Sequence, residues 1–287
     1  MKITKKIIAV IAVCLLICSV FAGCSKKDEQ TDEITDATML IAYTEECEPF
    51  IYTDSETGEL TGFDVELIKE TFDSFKGDYK NYQFVKVEPG YVLNEDTCYT
   101  DADGNNYSAI IMCGGLRKNV GTNNEDYKWS ENIIENKIVT VVKNGGIIKN
   151  YNDLDGVNTA VVSDFAAQAL DKNANIKGQL ASAQEYESAN EAFAALDNGT
   201  VDAVVIDSID FAAFEGKDNY TVLNGTLDVI DYGFGFTAAN DYSQGFNEAV
   251  KEMQSVDYGN GDTLTPLAEK YFKTADACVF NYNTEEK

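Results

Sequence analysis

Residues 40 to 72 read "LIAYTEECEPFIYTDSETGELTGFDVELIKETF". The opening "LIAY" is a short apolar run that suits a buried strand. Pro49-Phe50 breaks it, an aromatic stretch follows, and Asp54 to Gly58 form a turn. Gly62 then precedes a segment in which Phe63, Val65, Leu67, Ile68, Phe72 and Phe75 lay down mainly a helical stripe. Strand, turn and helix in close succession are the grammar of an α/β layer.

The same grammar runs along the chain. "YQFVKVEP" alternates as a strand, and "SAIIMCG" is a buried strand ending in glycine. "ENKIVTVVKNGG" is another, and "NTAVVS" leads into the alanine-rich helix "DFAAQALDKN". "SANEAFAALDNG" reads as a helix stopped by Gly199, before the buried strand "VDAVVID". "YGFGFTA" is a strand, and "SQGFNEAVKEMQS" a final amphipathic helix. Buried strands alternating with helices imply largely parallel sheets. Two glycine-flanked seams, near 141 to 146 and 229 to 235, are candidate crossings between two lobes.

Composition narrows the function. The chain has 287 residues, 44% hydrophobic, enough for one large or two medium domains with a substantial core. Its 49 acidic and 22 basic residues give a net charge of -27, which argues against nucleic acid and anionic membrane surfaces as direct partners. There is no histidine. Histidine-based triads, dyads and zinc sites are therefore excluded. "DADGNNY", 101 to 107, is not an EF-hand, because Asn106 and Met112 stand where glycine and glutamate are required. The glycines of "CGGLRKNVG" lack the Gly-Lys-Ser/Thr of a phosphate loop. No cofactor or metal site is expected.

The first segment reads as a targeting signal. Lys2, Lys5 and Lys6 precede an apolar run from Ile7 to Phe21, with small residues Ala22 and Gly23 before Cys24. The run is short for a membrane span. "VFAGC" resembles a bacterial lipobox, which implies a lipidated Cys24 and attachment to the outer face of the cell membrane; a simple secretory signal or an uncleaved anchor is the alternative. Residues 24 to 37 are polar and charged, as a flexible tether is. Removing residues 1 to 23, with their three lysines, takes the net charge to -30. Cys47, Cys98, Cys113 and Cys278 allow three full disulfide pairings, and none is favoured by spacing.

Taken together, Pro49-Phe50, Gly58 and "GFDV" resemble the opening motif of the polar amino acid family of extracellular substrate-binding proteins of ABC importers. The likeness continues through "YKWSENIIENKIVTVVKN", "YNDLDGVNTAVVSDFAAQAL", "AFAALDNGTVDAVVIDS", "YGFGF" and "NEAVKEM", and covers roughly residues 39 to 273. It implies a two-lobe, periplasmic-binding-protein-like clamshell with two hinge crossings. Lobe 1 takes 38–141 and 235–276, lobe 2 takes 142–234, and 277–287 form a C-terminal tail. The partners implied are a small polar ligand, zwitterionic or cationic, and an ABC permease, with the protein a monomer.

The resemblance also implies site residues. The family clamps a ligand carboxylate with an arginine after a glycine-ended strand, and Arg117 follows "IIMCGG", with Gly115 and Leu116 beside it. It is the sole arginine among 21 lysines, and its planar fork binds a carboxylate bidentately where lysine cannot. The family's usual slot lies later, near Thr122 to Asn124, where no arginine stands. A solvated loop charge is the alternative. Asp207, at the end of "VDAVVID", matches an aspartate that holds a ligand ammonium; capping the next helix is its alternative role. Asp202 reads as structural. Phe165 occupies a helix start where the family often has hydroxyls, and Asp164 reads as the cap of that helix. Tyr43 and Phe50 match positions lining the cleft, with Trp129 flanking it, and core packing is the alternative for each. A carboxylate-based dehydratase-type enzyme, or a ligand-sensing lipoprotein without a transport role, are the competing functions.

Overall fold

The computed structural model describes residues 35, 37–91, 93, 99–118, 127–238, 241–255 and 261–282. Two compact units divide the chain, Met1–Thr35 and Asp36–Lys287, and every element below lies in the second. The signal segment, Cys24, most of the tether, Cys98 and the slot near Thr122 to Asn124 lie outside the described residues.

Two sheets organise the chain. The first has the order β4-β1-β7-β15-β8, formed by β1 (Thr38–Tyr43), β4 (Asn81–Lys86), β7 (Ile111–Met112), β8 (Tyr127–Trp129) and β15 (Gly235–Thr237). β1 runs parallel to β4 and β7, and β15 runs antiparallel to β7 and β8. The second sheet has the order β11-β10-β12-β9-β13. Its strands are β9 (Ile134–Lys143), β10 (Asn158–Val162), β11 (Ser182–Glu185), β12 (Ala203–Asp207) and β13 (Tyr220–Val222). β14 (Asp228–Tyr232) adds to β9 beyond β13. Short hairpins β2–β3 (Tyr52–Thr53, Leu60–Thr61) and β5–β6 (Tyr99–Thr100, Asn106–Tyr107) complete the strands described. This is a mixed α/β, two-lobe, periplasmic-binding-protein-like fold.

The chain passes to the second sheet between Trp129 and Ile134, and returns between Tyr232 and Gly235. The boundary expected at 141/142 falls inside β9, whose ten residues all precede the Gly145 turn. An apolar run looks alike on either side of a hinge, and only its pairing with β12 and β14 assigns it to a lobe. On the return, β14 ends at Tyr232 and β15 begins at Gly235. "YGFGFTA" is therefore not one strand.

Helix α1 (Phe63–Phe75) starts at Gly62, where φ is +125° and a Cβ would lie 2.3 Å from the Phe50 carbonyl oxygen. Only glycine fits that approach. Asp64 and Glu66 in the first turn suit the positive end of the helix dipole. In the second lobe, α2 (Asp164–Lys172), the one-turn α3 (Ala174–Lys177), α4 (Ala189–Asn198) and α5 (Ser208–Ala213) follow. α4 is framed as the sequence suggests, by a Ser188 cap bonded from Glu191 N and by Gly199 in the left-handed region.

α6 (Ser243–Gln254) is not the last helix. α7 (Leu264–Phe272) follows, with Pro266 in its first turn, where proline is tolerated. Of the C-terminal tail expected at 277–287, the described residues 277–282 pack onto the fold. Cys278 bridges to Ile134, Val279 N donates to Ile133 O, and Phe280 and Tyr282 are buried in the core. Burial of two aromatics stabilises this strap by several kcal/mol, at about 25 cal/mol per Å².

Candidate functional site

The first-lobe side is built on a loop held by a buried carboxylate. Asp64 Oδ2 accepts from Gly114 N at 2.8 Å and Gly115 N at 3.1 Å. Burial pushes the Asp64 pKa up to about 7 despite these two donors. Both glycines have positive φ, and a Cβ on Gly115 would meet the Phe50 ring at 2.8 Å. The loop therefore lies flat on Phe50. Leu116 O accepts from Gly233 N, and Lys118 N donates to Asp231 O, so residues 116–118 run alongside the returning crossing. Arg117 pairs across to Tyr232 as an isolated bridge.

This arrangement sends Arg117 to the other lobe. Its guanidinium carbon stands 4.5 Å from the centroid of Phe165, in the first turn of α2. The ring attracts the positive charge, and a guanidinium carries five N–H donors. No described carboxylate forms an ion pair with Arg117. A 260 Å³ cavity here is lined by Arg117, Phe165, Gln168, Lys172 and Asp228 among others. Lys172 pairs with Asp228 at 2.5 Å, and the nearby Lys118 Nζ donates to Ser130 O at 2.7 Å. The fork of Arg117 is thus the cation of this wall without such a partner among the described residues.

Asp207 ends β12 and is 4% exposed. Asn136 Nδ2 donates to its Oδ1 at 2.8 Å and Ser163 Oγ to its Oδ2 at 2.5 Å. Burial raises its pKa, and these two hydrogen bonds act in the opposite direction. Asp207 precedes α5 without a side-chain capping bond, so the helix-cap alternative does not describe it. The cap of α2 is Ser163, whose Oγ accepts from Ala166 N, and not Asp164, which lies inside the helix. Asp202 accepts from Asn158 N, a tie between neighbouring strands.

The remaining expected residues fall into place around Tyr232. Phe50 is buried, with its ring 4.7 Å from Tyr232 and 5.1 Å from Phe272. Tyr43 ends β1 and is buried behind the glycine loop. Trp129 packs edge-on against Tyr127 at 5.5 Å, with Lys118 over its ring, outside this group. Structure thus brings Phe50, Gly115, Leu116, Arg117 and Phe165 together, and reaches Asp207 through Tyr232 and Asn136. Tyr232 was not legible as a site residue, nor were Asn136 and Ser163. Burial pushes the Tyr232 hydroxyl up to about 12; Asp207 acts in the same direction, Asn136 and Arg117 against it. Ser163 had one visible signal, a hydroxyl between a strand and a helix. Asn136 had none, as a polar residue midway along a strand-like run. Among the described residues no cluster of metal-ligating side chains exists.

Comparison with known proteins agrees with this architecture. No family model matches the chain. The L-cystine-binding protein TcyA of Bacillus subtilis is 24% identical over 235 residues, covering 78% of this chain and 77% of its own. The ABC transporter glutamine-binding protein GlnH of the same organism is 24% identical over 201 residues, covering 69% and 70%. Among solved structures, a polar amino acid ABC uptake transporter substrate-binding protein from Streptococcus thermophilus superimposes with a TM-score of 0.65 at 16% identity, covering 85% of this chain and 88% of its own. The L-cystine solute receptor of Neisseria gonorrhoeae, in its unliganded open conformation, gives 0.61 at 18% identity, covering 84% and 94%. The fold is that of the two-lobe substrate-binding proteins. In sequence the chain is similar to these cystine- and glutamine-binding proteins, and the solved structures share its fold.

Proposed function

We propose that this protein captures an amino acid or a related small polar solute and delivers it to an ABC importer. The observation that carries the reading is the guanidinium of Arg117, which spans to Phe165 of the other lobe and forms no ion pair with a carboxylate among the described residues. A planar, permanently charged fork at the meeting of two lobes suits a ligand carboxylate. Asp207 supplies the opposing charge for a ligand ammonium. Ser163 and Asn136 each donate one bond to it, and a carboxylate has about four lone-pair positions, so capacity remains. Lobes joined by two crossings close over a ligand as a hinge, which presents a distinct form to the permease.

The relatives named for cystine and glutamine direct the choice of test ligands. The lipobox-like "VFAGC" supports a lipid anchor at Cys24, on the extracellular face of the membrane, with the binding unit working as a monomer. A thermal-shift screen of cystine, glutamine, other amino acids, small peptides and polyamines tests the reading. A ligand that binds the folded form raises Tm by mass action, by about 2.7 kcal/mol of stability at a hundred times its Kd. Failure of all zwitterions, with a shift from polyamines alone, would replace the carboxylate clamp by simple attraction of cations.

A further inference from the structure

A second cavity, of 640 Å³, lies behind the hinge and belongs to neither wall of the cleft. Strand alternation fixes its position. Along β9, Asn136 turns to Asp207, so Lys137 and Val139 point to the opposite face. They form one wall of the cavity with Phe211 of α5 and Val222 of β13. Residues 273–278, the strap that continues from α7, form the other.

Its chemistry runs against the rest of the molecule. In a chain with 49 acidic and 22 basic residues, three lysines and one aspartate line this cavity: Lys137, Lys217, Lys273 and Asp276. Lys137 is paired to Glu135 at 3.1 Å. Lys217 and Lys273 are bonded to main-chain carbonyls instead, of Ala212 and Lys270. Neither forms an ion pair with a described carboxylate. A carbonyl orients an ammonium but leaves its charge and two of its three donors unspent. Val139, Phe211, Ala212 and Val222 give the lining an apolar part, beside the polar Ser208, Thr274 and Asp276. Val222 is 39% exposed there, one of few large apolar side chains open to solvent among the described residues. The volume lies in the range of small-molecule sites, which combine an apolar lining with a few placed polar groups.

We propose that this rear groove is a second binding site, for a small amphipathic organic anion: one carboxylate or sulfonate held by Lys217 and Lys273, and an apolar body lying on Val139, Phe211 and Val222. The site is independent of the transport reading, since it shares no residue with the cleft.

The probe for the test is 8-anilinonaphthalene-1-sulfonate, an anion with an apolar body, followed by its fluorescence on the whole folded protein. Saturable binding is expected, with the neutral analogue N-phenyl-1-naphthylamine at least tenfold weaker. The double variant Lys217→Glu/Lys273→Glu is expected to weaken the dye at least tenfold, and Val222→Glu to do the same. Arg117→Ala, in the cleft, is expected to leave dye binding in place. Thermal melts verify that each variant folds; if the double variant does not, Lys217→Gln and Lys273→Gln are read singly, each expected to weaken the dye. Non-saturable binding, equal affinity for the neutral analogue, indifference to the lysine variants, or loss of binding in Arg117→Ala would each overturn the proposal.

Discussion

The guanidinium of Arg117 lies 4.5 Å from the centroid of the Phe165 ring, and the two residues come from different lobes. Arg117 belongs to a glycine loop of the first lobe, pinned by Asp64 from below and by the crossing strand at its side. Phe165 opens the helix that follows the second-lobe strand β10. Their contact therefore reports both the position of the charged fork and the closeness of the lobes.

Changing the fork while keeping the charge is the direct test of the clamp. Arg117→Lys loses bidentate geometry, and a hydrogen bond to a charged group contributes roughly 1.5 to 3 kcal/mol. Ligand affinity by calorimetry is expected to fall about ten- to a hundredfold. Wild-type affinity in the variant would make Arg117 a loop charge only.

Phe165→Ala removes the aromatic partner. A cation–π contact contributes about 0.5 to 2 kcal/mol, depending on solvation. The ligand-free variant is expected to sample more open lobes, seen as a larger radius of gyration in small-angle scattering. Saturating ligand is expected to restore compaction. An unchanged radius without ligand would show that the contact does not hold the lobes.

Asp64 sets a pH dependence of stability. Its folded pKa is raised to about 7 from an ordinary 3.8, by burial. Between these values the folded state keeps a proton that the unfolded state has lost, so its contribution to stability falls as pH rises from about 4 to 7 and stays low above. Asp64→Asn presents a neutral oxygen to the same two N–H groups and has no proton to lose. Relative to wild type, the variant is expected to gain on the order of 4 kcal/mol between pH 4 and pH 8, measured by urea unfolding at each pH. A pH-independent difference between the two proteins is the result that contradicts this account.

Two glycines rank by what they touch. A Cβ at Gly62 meets the Phe50 carbonyl at 2.3 Å, whereas at Gly115 it meets the Phe50 ring at 2.8 Å. Backbone cannot move aside as a ring can, although both positions also carry a positive φ. Gly115→Ala is expected to cost about 1 to 3 kcal/mol, and Gly62→Ala more. Thermal denaturation gives the order directly, and the reverse order would remove the distinction drawn between them.

Anchoring is tested by Cys24→Ser. The variant is expected to leave the membrane fraction, because stable attachment needs more than one acyl chain and the substitution removes the attachment point. Retention after a carbonate wash would point to an uncleaved apolar segment instead.

Much of the fold was legible in the sequence because it rests on local rules. The helices from Ser188 to Gly199 and after Gly62 are bounded by residues whose backbone preferences act within one turn, and the strands of "NTAVV" and "VDAVVID" by short apolar runs with glycine or polar ends. Proximity of Arg117 to a glycine-ended strand was legible for the same reason. What no local rule contains is pairing between distant segments. The first crossing precedes β9 because Ile134 to Ile138 pair with β14, a partner about ninety residues away. Cys278 and Val279 are held in place because Ile134 and Ile133 supply their backbone partners. Asn136, Ser163 and Tyr232 acquire their roles only where β9, β10 and β14 converge on Asp207, since a buried carboxylate requires donors that only tertiary structure can bring to it. Sequence by itself determined the layers, the glycine loop and the single arginine; the folded chain decided which lobe each strand serves and what that arginine faces.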